Sequence, residues 1–382
     1  MKPNSTDWPA RAETIARDVL ARHADDVDRR ARWPAESLAA LGEAGFLGLT
    51  VPEEFGGAGQ GPRTFFAVMR ALSGQCASTA MIYLMHVCAA QVIVAAKEFP
   101  TRDSILRDMV AGRHLSTLAF SEKGSRSHFW APVSQAVADG GQVRISAEKS
   151  FVTSAGHADS YVVSTRAAGA TEPMASTLYF VPRDAPGVTV SGAWNGLGLC
   201  GNASAPVRLA GVTVPASQRL SGEGEGLGAM LNVVLPWFQL GASAVALGVA
   251  TAATDGLRQH LLASKLEHLG QSLADLPTLR ARLAQMRIAV DTQQAFLRQV
   301  AGGMEDGQPD ILLSLLESKA AAVESAVQVT DLAVRAGGGA AIGRHLSLER
   351  NFRDARALSV MAPTTDVLYD FIAKALLEMP LF

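Results

Sequence analysis

Two stretches of this 382-residue chain, residues 71–96 and 227–254, contain no Asp, Glu, Lys or Arg. Uncharged apolar runs of that length either cross a membrane or lie at the centre of a large helical core. The first carries Ser73, Gln75, Ser78, Thr79, His86 and Gln91, and the second carries Asn232, Pro236, Gln239 and Ser243. Neither is flanked by the Lys/Arg clusters that orient a membrane span, so both are read as buried helices of a soluble protein. Hydrophobic residues make up 48% of the chain and charged residues 18%, which provides a core of the required size and excludes global disorder. Lys plus Arg number 34 against 36 Asp plus Glu, so no net field draws the chain to nucleic acid or to an anionic bilayer. The three cysteines, Cys76, Cys88 and Cys200, are an odd count without CxxC spacing. Neither a disulfide framework nor a zinc site is expected, and a reducing cytoplasm is the natural compartment. The N-terminal residues carry Asp7 and Glu13 and no apolar run, unlike a signal peptide.

The hydrophobic period changes twice along the chain. Residues 1–115 read as helices, with Pro34 as a first helical residue, Gly45 as a C-terminal cap and residues 68–96 as one long helix. The segment VPEEFGGAGQGP (51–62) is a connecting loop. Residues 116–220 recur at strand spacing through Val133, Val137, Val143, Ile145, Phe151, Tyr161, Val163, Leu178, Phe180, Val188 and Val190. Asp139-Gly140-Gly141 supplies a hairpin turn, and the unit is mainly antiparallel. Residues 221–382 return to the helical period, with helices over 227–268, 275–302 and 309–336, a stop at Gly337-Gly338-Gly339 and a last helix opened by Pro363. Helices, then a β module, then a helical bundle make an α+β protein rather than an alternating βαβ one.

Generic catalytic signatures are missing: no GxxxxGK[ST], GxSxG, HExxH or strand-linked GxGxxG occurs, and the eight histidines are dispersed without metal spacing. The three glycines at 337–339 fit a plain helix terminator as well as a backbone approach to a phosphate. The glycine run at 222–228 is acidic and unsuited to a phosphate.

Read in order, several segments resemble the acyl-CoA dehydrogenase family of flavoproteins. LTVPEEFGGAG (49–59) resembles the family's loop between early helices, and AFSEKGSRS (119–127) stands where the family has its xxTEPGAGS flavin loop. KSFVTS (149–154) is similar to the K-x-W/F-I-T-N strand. Residues 195–215, ending VRLAGVTVP, resemble the strand before the second helical domain. Residues 336–340 resemble the GGxG turn, and NFRDAR (351–356) the Y-R-D-A-R/K segment. The resemblance implies an N-terminal helical domain, a central antiparallel β domain and a C-terminal four-helix bundle, assembled as a homodimer or homotetramer. FAD would lie between the β domain and the last bundle, and FMN stays open because the adenine-side contacts are weakly matched. Carried over residue by residue, the flavin contacts fall on Phe120, Ser121, Ser127, Phe151 and Thr153. Thr364 takes the threonine of the family's E-G-T, Asp366 the position two further on, and Gly337 with Gly338 would admit the FAD pyrophosphate. The acyl pocket would draw on His86, Phe238, Met361 and Ala362.

The departures concern catalysis. The glutamate that takes the substrate's α-proton in most of the family corresponds to Ala362, within MAPTT. The alternative glutamate position is Phe238, beside Gln239 where arginine is usual. Loss of a positioned base costs about 10²–10⁴-fold. The phosphate-binding arginine of R-x-x-F-G corresponds to Leu266, the glutamine before the GG turn to Val334, and Lys123 and Arg126 alter the flavin loop. Glu122 keeps a family loop position with a structural role. His128 is the candidate replacement base, ahead of His86, because imidazole with a pKa near 6.5 accepts a proton at neutral pH; a satisfied structural histidine is the alternative for each. The expected activity is that of an FAD-dependent oxidoreductase acting on an acyl thioester or related hydrophobic acyl substrate, with an electron-transfer flavoprotein as acceptor. The rivals are a flavin-dependent monooxygenase or oxidase using oxygen, and a noncatalytic acyl-binding relative.

Overall fold

The computed structural model describes residues 7–125, 128–172 and 174–381. Six helices come first: α1 (Trp8–Ile15) and α2 (Ala21–Arg29), joined by a π turn at Ala16–Leu20, then α3 (Ala35–Glu43), α4 (Pro62–Ser73), α5 (Ala77–Ala95) and α6 (Arg102–Val110). Gly45 ends α3 at φ +80°, the left-handed cap expected of it. The single helix expected over 68–96 is two, α4 and α5. The C-terminal bundle packs tightly against the corner between them: a Cβ on Gly248 would lie 2.0 Å from Ser73 Oγ and 2.9 Å from Gly74 N. Ser73 Oγ also donates to Ala244 O (3.3 Å). Tertiary contact there outweighs a local helical pattern already weakened by Gly74.

The middle of the chain forms β1 (Ser116–Ala119), β2 (Val137–Asp139), β3 (Gln142–Val152), β4 (Ser160–Arg166), β5 (Ser176–Pro182), β6 (Val188–Val190) and β7 (Ala205–Pro215). They make two sheets, ordered β1-β4-β5 and β2-β3-β7-β6. The β2–β3 hairpin is as expected: Asp139 pairs with Gln142 across Gly140 and Gly141, both at positive φ. One pairing departs from the antiparallel expectation, for β1 runs parallel to β4. The whole β2–β3 hairpin intervenes between them, enough chain for the crossover a parallel pair needs. The first sheet is covered on both faces. Leu118, Val162, Leu178 and Phe180 join the core shared with the helices, while Tyr161, Val163, Tyr179 and Val181 pack against the second sheet.

After the β domain, α7 (Gly226–Ala229) passes through a second π turn, Met230–Val234, into α8 (Leu235–Ala263). Pro236 accounts for that turn: it has no N–H to offer Asn232 C=O, and its ring crowds the preceding turn, so the helix widens. Expected to reach residue 268, α8 stops at Ala263. A small ribbon follows, β8 (Lys265–Leu266) and β9 (Gln271–Ser272), with Gly270 at φ +62°. The bundle is completed by α9 (Pro277–Glu305), α10 (Ile311–Gly337), the short α11 (Gly339–Ile342), α12 (Leu348–Ser359) and α13 (Thr365–Leu376). Pro363 stands just outside α13, whose cap is Thr364, accepting from Val367 N–H at 3.4 Å. The two uncharged stretches supply α5 and α8, and 83% of the most apolar window of each helix is buried inside the protein.

The NFRDAR segment lies in α12 and fastens the three parts together. The Arg353 guanidinium grips Asp28 of α2 through both nitrogens (2.6 and 3.0 Å) and Glu349 (2.7 Å), and donates to Leu197 O (3.0 Å). Asp354 accepts from Leu199 N–H at 2.6 Å, its carboxyl pushed up to about 6 by burial.

Candidate active site

An apolar cavity of about 70 Å³ opens where the β domain meets α5, α8 and the 361–363 turn. It is lined by Met85, Leu118, Phe120, Ser121, Phe129, Ser150, Phe151, Val234, Leu235, Phe238 and Ala362. Each wall has a local cause. β1 delivers Leu118, with Phe120 and Ser121 just past its end. The π turn and Pro236 bring Val234, Leu235 and Phe238 to one side of α8. Phe151 sits where the β3–β7 register slips between Lys149 and Val152 and takes φ +54°, an unusual conformation for an aromatic residue. Its ring is left 69% exposed, edge-on to Trp194 at 6.3 Å.

The 120–122 loop is fixed from behind by Glu122. Its carboxylate accepts from Val133 N–H (2.9 Å), Ser134 N–H (2.7 Å) and the fully buried Lys149 ammonium (2.6 Å). Burial alone would push this carboxyl up, but Lys149 and the hydrogen bonds hold it below the ordinary range. Phe129 stacks on Phe120 at 6.4 Å and meets Trp130 edge-on at 5.1 Å.

Among the described residues, none that lines the cavity titrates, and no group of three His, Cys, Asp or Glu is placed to hold a metal ion. The donor set suits a planar, partly polar organic group. Two hydroxyl-bearing residues, Ser121 and Ser150, lie among four aromatic rings. Gly338, at φ +61°, and Gly339 have open space where a side chain would stand.

Family models for acyl-CoA dehydrogenase match three consecutive segments: the N-terminal domain over residues 5–113, the middle domain over 117–212 and the C-terminal domain over 224–377. The chain belongs to the acyl-CoA dehydrogenase family. It is 25% identical over 367 residues to the probable acyl-CoA dehydrogenase YngJ of Bacillus subtilis (strain 168), covering 95% of each. It is 27% identical over 358 residues to the mitochondrial short-chain specific acyl-CoA dehydrogenase of Bos taurus, covering 93% of this chain and 85% of the relative. Its fold matches butyryl-CoA dehydrogenase from Megasphaera elsdenii with a TM-score of 0.92 at 22% identity, over 99% of this chain and 100% of that one. Acyl-CoA dehydrogenases generally bind FAD.

Of the positions that the acyl-CoA dehydrogenase resemblance singles out, Phe120, Ser121, Phe151, Phe238 and Ala362 come together around the cavity. Thr153 does not line it: its Oγ1 is 3.0 Å from Ser204 Oγ inside the β domain. Gly337 ends α10 against Ala341, and Gly338 follows it away from the cavity. Thr364 caps α13. Met361 is partly buried beside Ala362. Ser127 and Arg126 lie outside the described residues.

The two histidines take different places. His86 is fully buried on α5, next to Met85. Its Nε2 lies 2.9 Å from Leu47 O, and Nδ1 accepts from Ser116 N–H at 3.2 Å. These partners require the proton on Nε2 and the lone pair on Nδ1, and burial pushes the pKa down to about 4. The neutral ring is thus a brace between α5, Leu47 and β1, with neither nitrogen left open to the cavity. His128 is exposed in a separate outer groove with Trp130, Met174, Asp366, Asp370 and Lys374, its ring 5.0 Å from that of Trp130.

One residue escaped the sequence reading. Lys319 of α10 is buried, and its Nζ donates to Met361 O (2.9 Å) and Pro363 O (2.6 Å), 5.5 Å from the centre of the Phe238 ring. Burial pushes its amine down to about 7. The available signal was its position on the apolar stripe of α10, between Leu315 and Leu316 one turn earlier and Ala322 and Val323 one turn later.

Proposed function

We propose that this protein is an FAD-dependent oxidoreductase of the acyl-CoA dehydrogenase type, acting on an acyl thioester or related hydrophobic acyl substrate without the family's usual carboxylate base. The observation that carries the reading is the mainly apolar cavity between Phe120, Phe151 and Phe238, with Ser121 and Ser150 as its hydroxyl groups and Ala362 in its wall. Phe120, Ser121 and Phe151 would hold the flavin ring end, and Gly337, Gly338, Thr364 and Asp366 the remainder. When bound, the cofactor supplies a two-electron acceptor for hydride. The chain's own part is to take the acyl group against Met85, Leu118, Val234, Leu235 and Phe238, and to exclude water from it. Electrons would pass to an electron-transfer flavoprotein. A homodimer or homotetramer in the cytoplasm, apart from membrane and nucleic acid, is the setting we assign; exposed Ile288, Leu376 and Leu377 suit an interface between copies.

The candidate for proton removal stays His128, which adjoins Phe129 in the chain but faces the outer groove, so it would act only on a substrate whose α-carbon reaches that groove. Anaerobic addition of acyl-CoAs to the purified protein should bleach the flavin's visible band, and His128→Ala should abolish that bleaching. Unchanged bleaching removes His128 from the reaction.

A second reading, an oxidase or monooxygenase with oxygen as acceptor, is favoured by the lack of a proton acceptor among the described residues of the cavity wall. It predicts no bleaching by thioesters, and oxygen uptake once the protein has been reduced. A colourless preparation that cannot be reconstituted would instead favour a noncatalytic acyl-binding relative.

A further inference from the structure

We propose that Lys319 is a positioning residue of the cavity: from behind, one side chain fixes two of its walls, the 361–363 turn and the Phe238 ring, and so sets how far an acyl chain enters. The second half of that statement rests on reading the cavity as an acyl site.

A lysine on the buried stripe of a helix is costly unless its ammonium is satisfied. Lys319 has no carboxylate within ion-pair distance among the described residues. It meets instead the carbonyls of Met361 and Pro363, which flank Ala362, while the Phe238 ring lies on its remaining side. An ammonium offers three donors and no acceptor, and an aromatic face attracts the positive charge that two carbonyls leave uncompensated. Ala362 and Phe238 both line the cavity. A Leu or Met at 319 would fill the same space in α10 but could not tie the turn. The lysine therefore links a bundle helix to the floor of the site without facing the site itself.

The test compares the flavin-loaded wild type with Lys319→Met and Lys319→Arg. Amide hydrogen exchange over residues 359–366 should rise about tenfold or more in Lys319→Met, with exchange in β3 and β7 unchanged. The ratio of dissociation constants for butyryl-CoA and dodecanoyl-CoA, measured by calorimetry, should shift about tenfold in the same variant. Lys319→Arg, which keeps the charge and donors, should return both values toward wild type. Exchange and ratio both within about twofold of wild type in a folded Lys319→Met would overturn the proposal. If wild type binds neither thioester, the acyl reading fails, while the exchange comparison still decides whether Lys319 fixes the turn. If Lys319→Met does not fold, Lys319→Gln, which keeps two N–H donors without the charge, is read by the same exchange measurement and should protect the turn better than Lys319→Ala.

Discussion

Two buried lysines stand behind different parts of the cavity wall, and they are satisfied in different ways. Lys149, in the β domain, meets the Glu122 carboxylate at 2.6 Å, so the 120–122 loop is held by a neutralised pair that also gathers Val133 and Ser134 N–H. Lys319, in the bundle, meets only main-chain carbonyls and the face of Phe238. The first arrangement is rigid and closed on itself. The second leaves a charge uncompensated, next to Ala362, where the family resemblance places the glutamate that most members use as base. The β-domain wall thus resembles a fixed scaffold, and the bundle wall is the one whose shape we assign to a single side chain.

Breaking the β-domain pair should have the largest effect. Lys149→Met strands the Glu122 carboxylate inside the protein, and a loss of about 3–5 kcal/mol is expected in urea denaturation. Replacing both partners with apolar residues should recover much of it. A loss under 1 kcal/mol for Lys149→Met would show that the pair is not the anchor described (about 1 kcal/mol being the range of exposed pairs).

The next effect is pH-dependent and belongs to His86, the brace behind the α5 wall. Its ring stays neutral in the folded protein down to about pH 4, whereas the unfolded chain takes up that proton near 6.5. Between those values the unfolded state binds more protons, so this contribution is complete at neutrality and is lost as pH falls through the window. The loss is about 3 kcal/mol. His86→Leu should be less stable at neutrality and show a shallower fall on acidification. Parallel curves for variant and wild type would contradict the buried neutral ring.

The smallest stability change is expected from Lys319→Met, within about 2 kcal/mol in either direction, because losing an uncompensated charge offsets two weakened carbonyls. If its cost equals that of Lys149→Met, the contrast between the two walls collapses.

What the sequence made legible was local. Asp139-Gly140-Gly141 marked a hairpin because only glycines take those dihedrals cheaply, and two long runs marked α5 and α8 because neither carries a formal charge. The break between α4 and α5 was hidden, since it depends on Gly248 more than a hundred and seventy positions away in the chain. The parallel partner of β1 was hidden for the same reason, being a long-range pairing without a local pattern. The aromatic walls at Phe120, Phe151 and Phe238 were reached through family resemblance rather than periodicity. His86 as a satisfied buried histidine was within reach of the sequence, though its partners Leu47 O and Ser116 N–H were not; the role of Lys319 was out of reach because its partners are main-chain carbonyls 42 and 44 residues away, and a peptide carbonyl leaves no mark in a sequence.

The central claim is that a flavin and an acyl group meet in a cavity without a carboxylate in its wall. Anaerobic titration of the purified, flavin-loaded protein with a series of acyl-CoAs, followed by visible absorption, tests it most directly. The account predicts stepwise loss of the oxidised flavin band with at least one thioester. A band that persists through the whole series, or a protein that takes up no flavin at all, would contradict it.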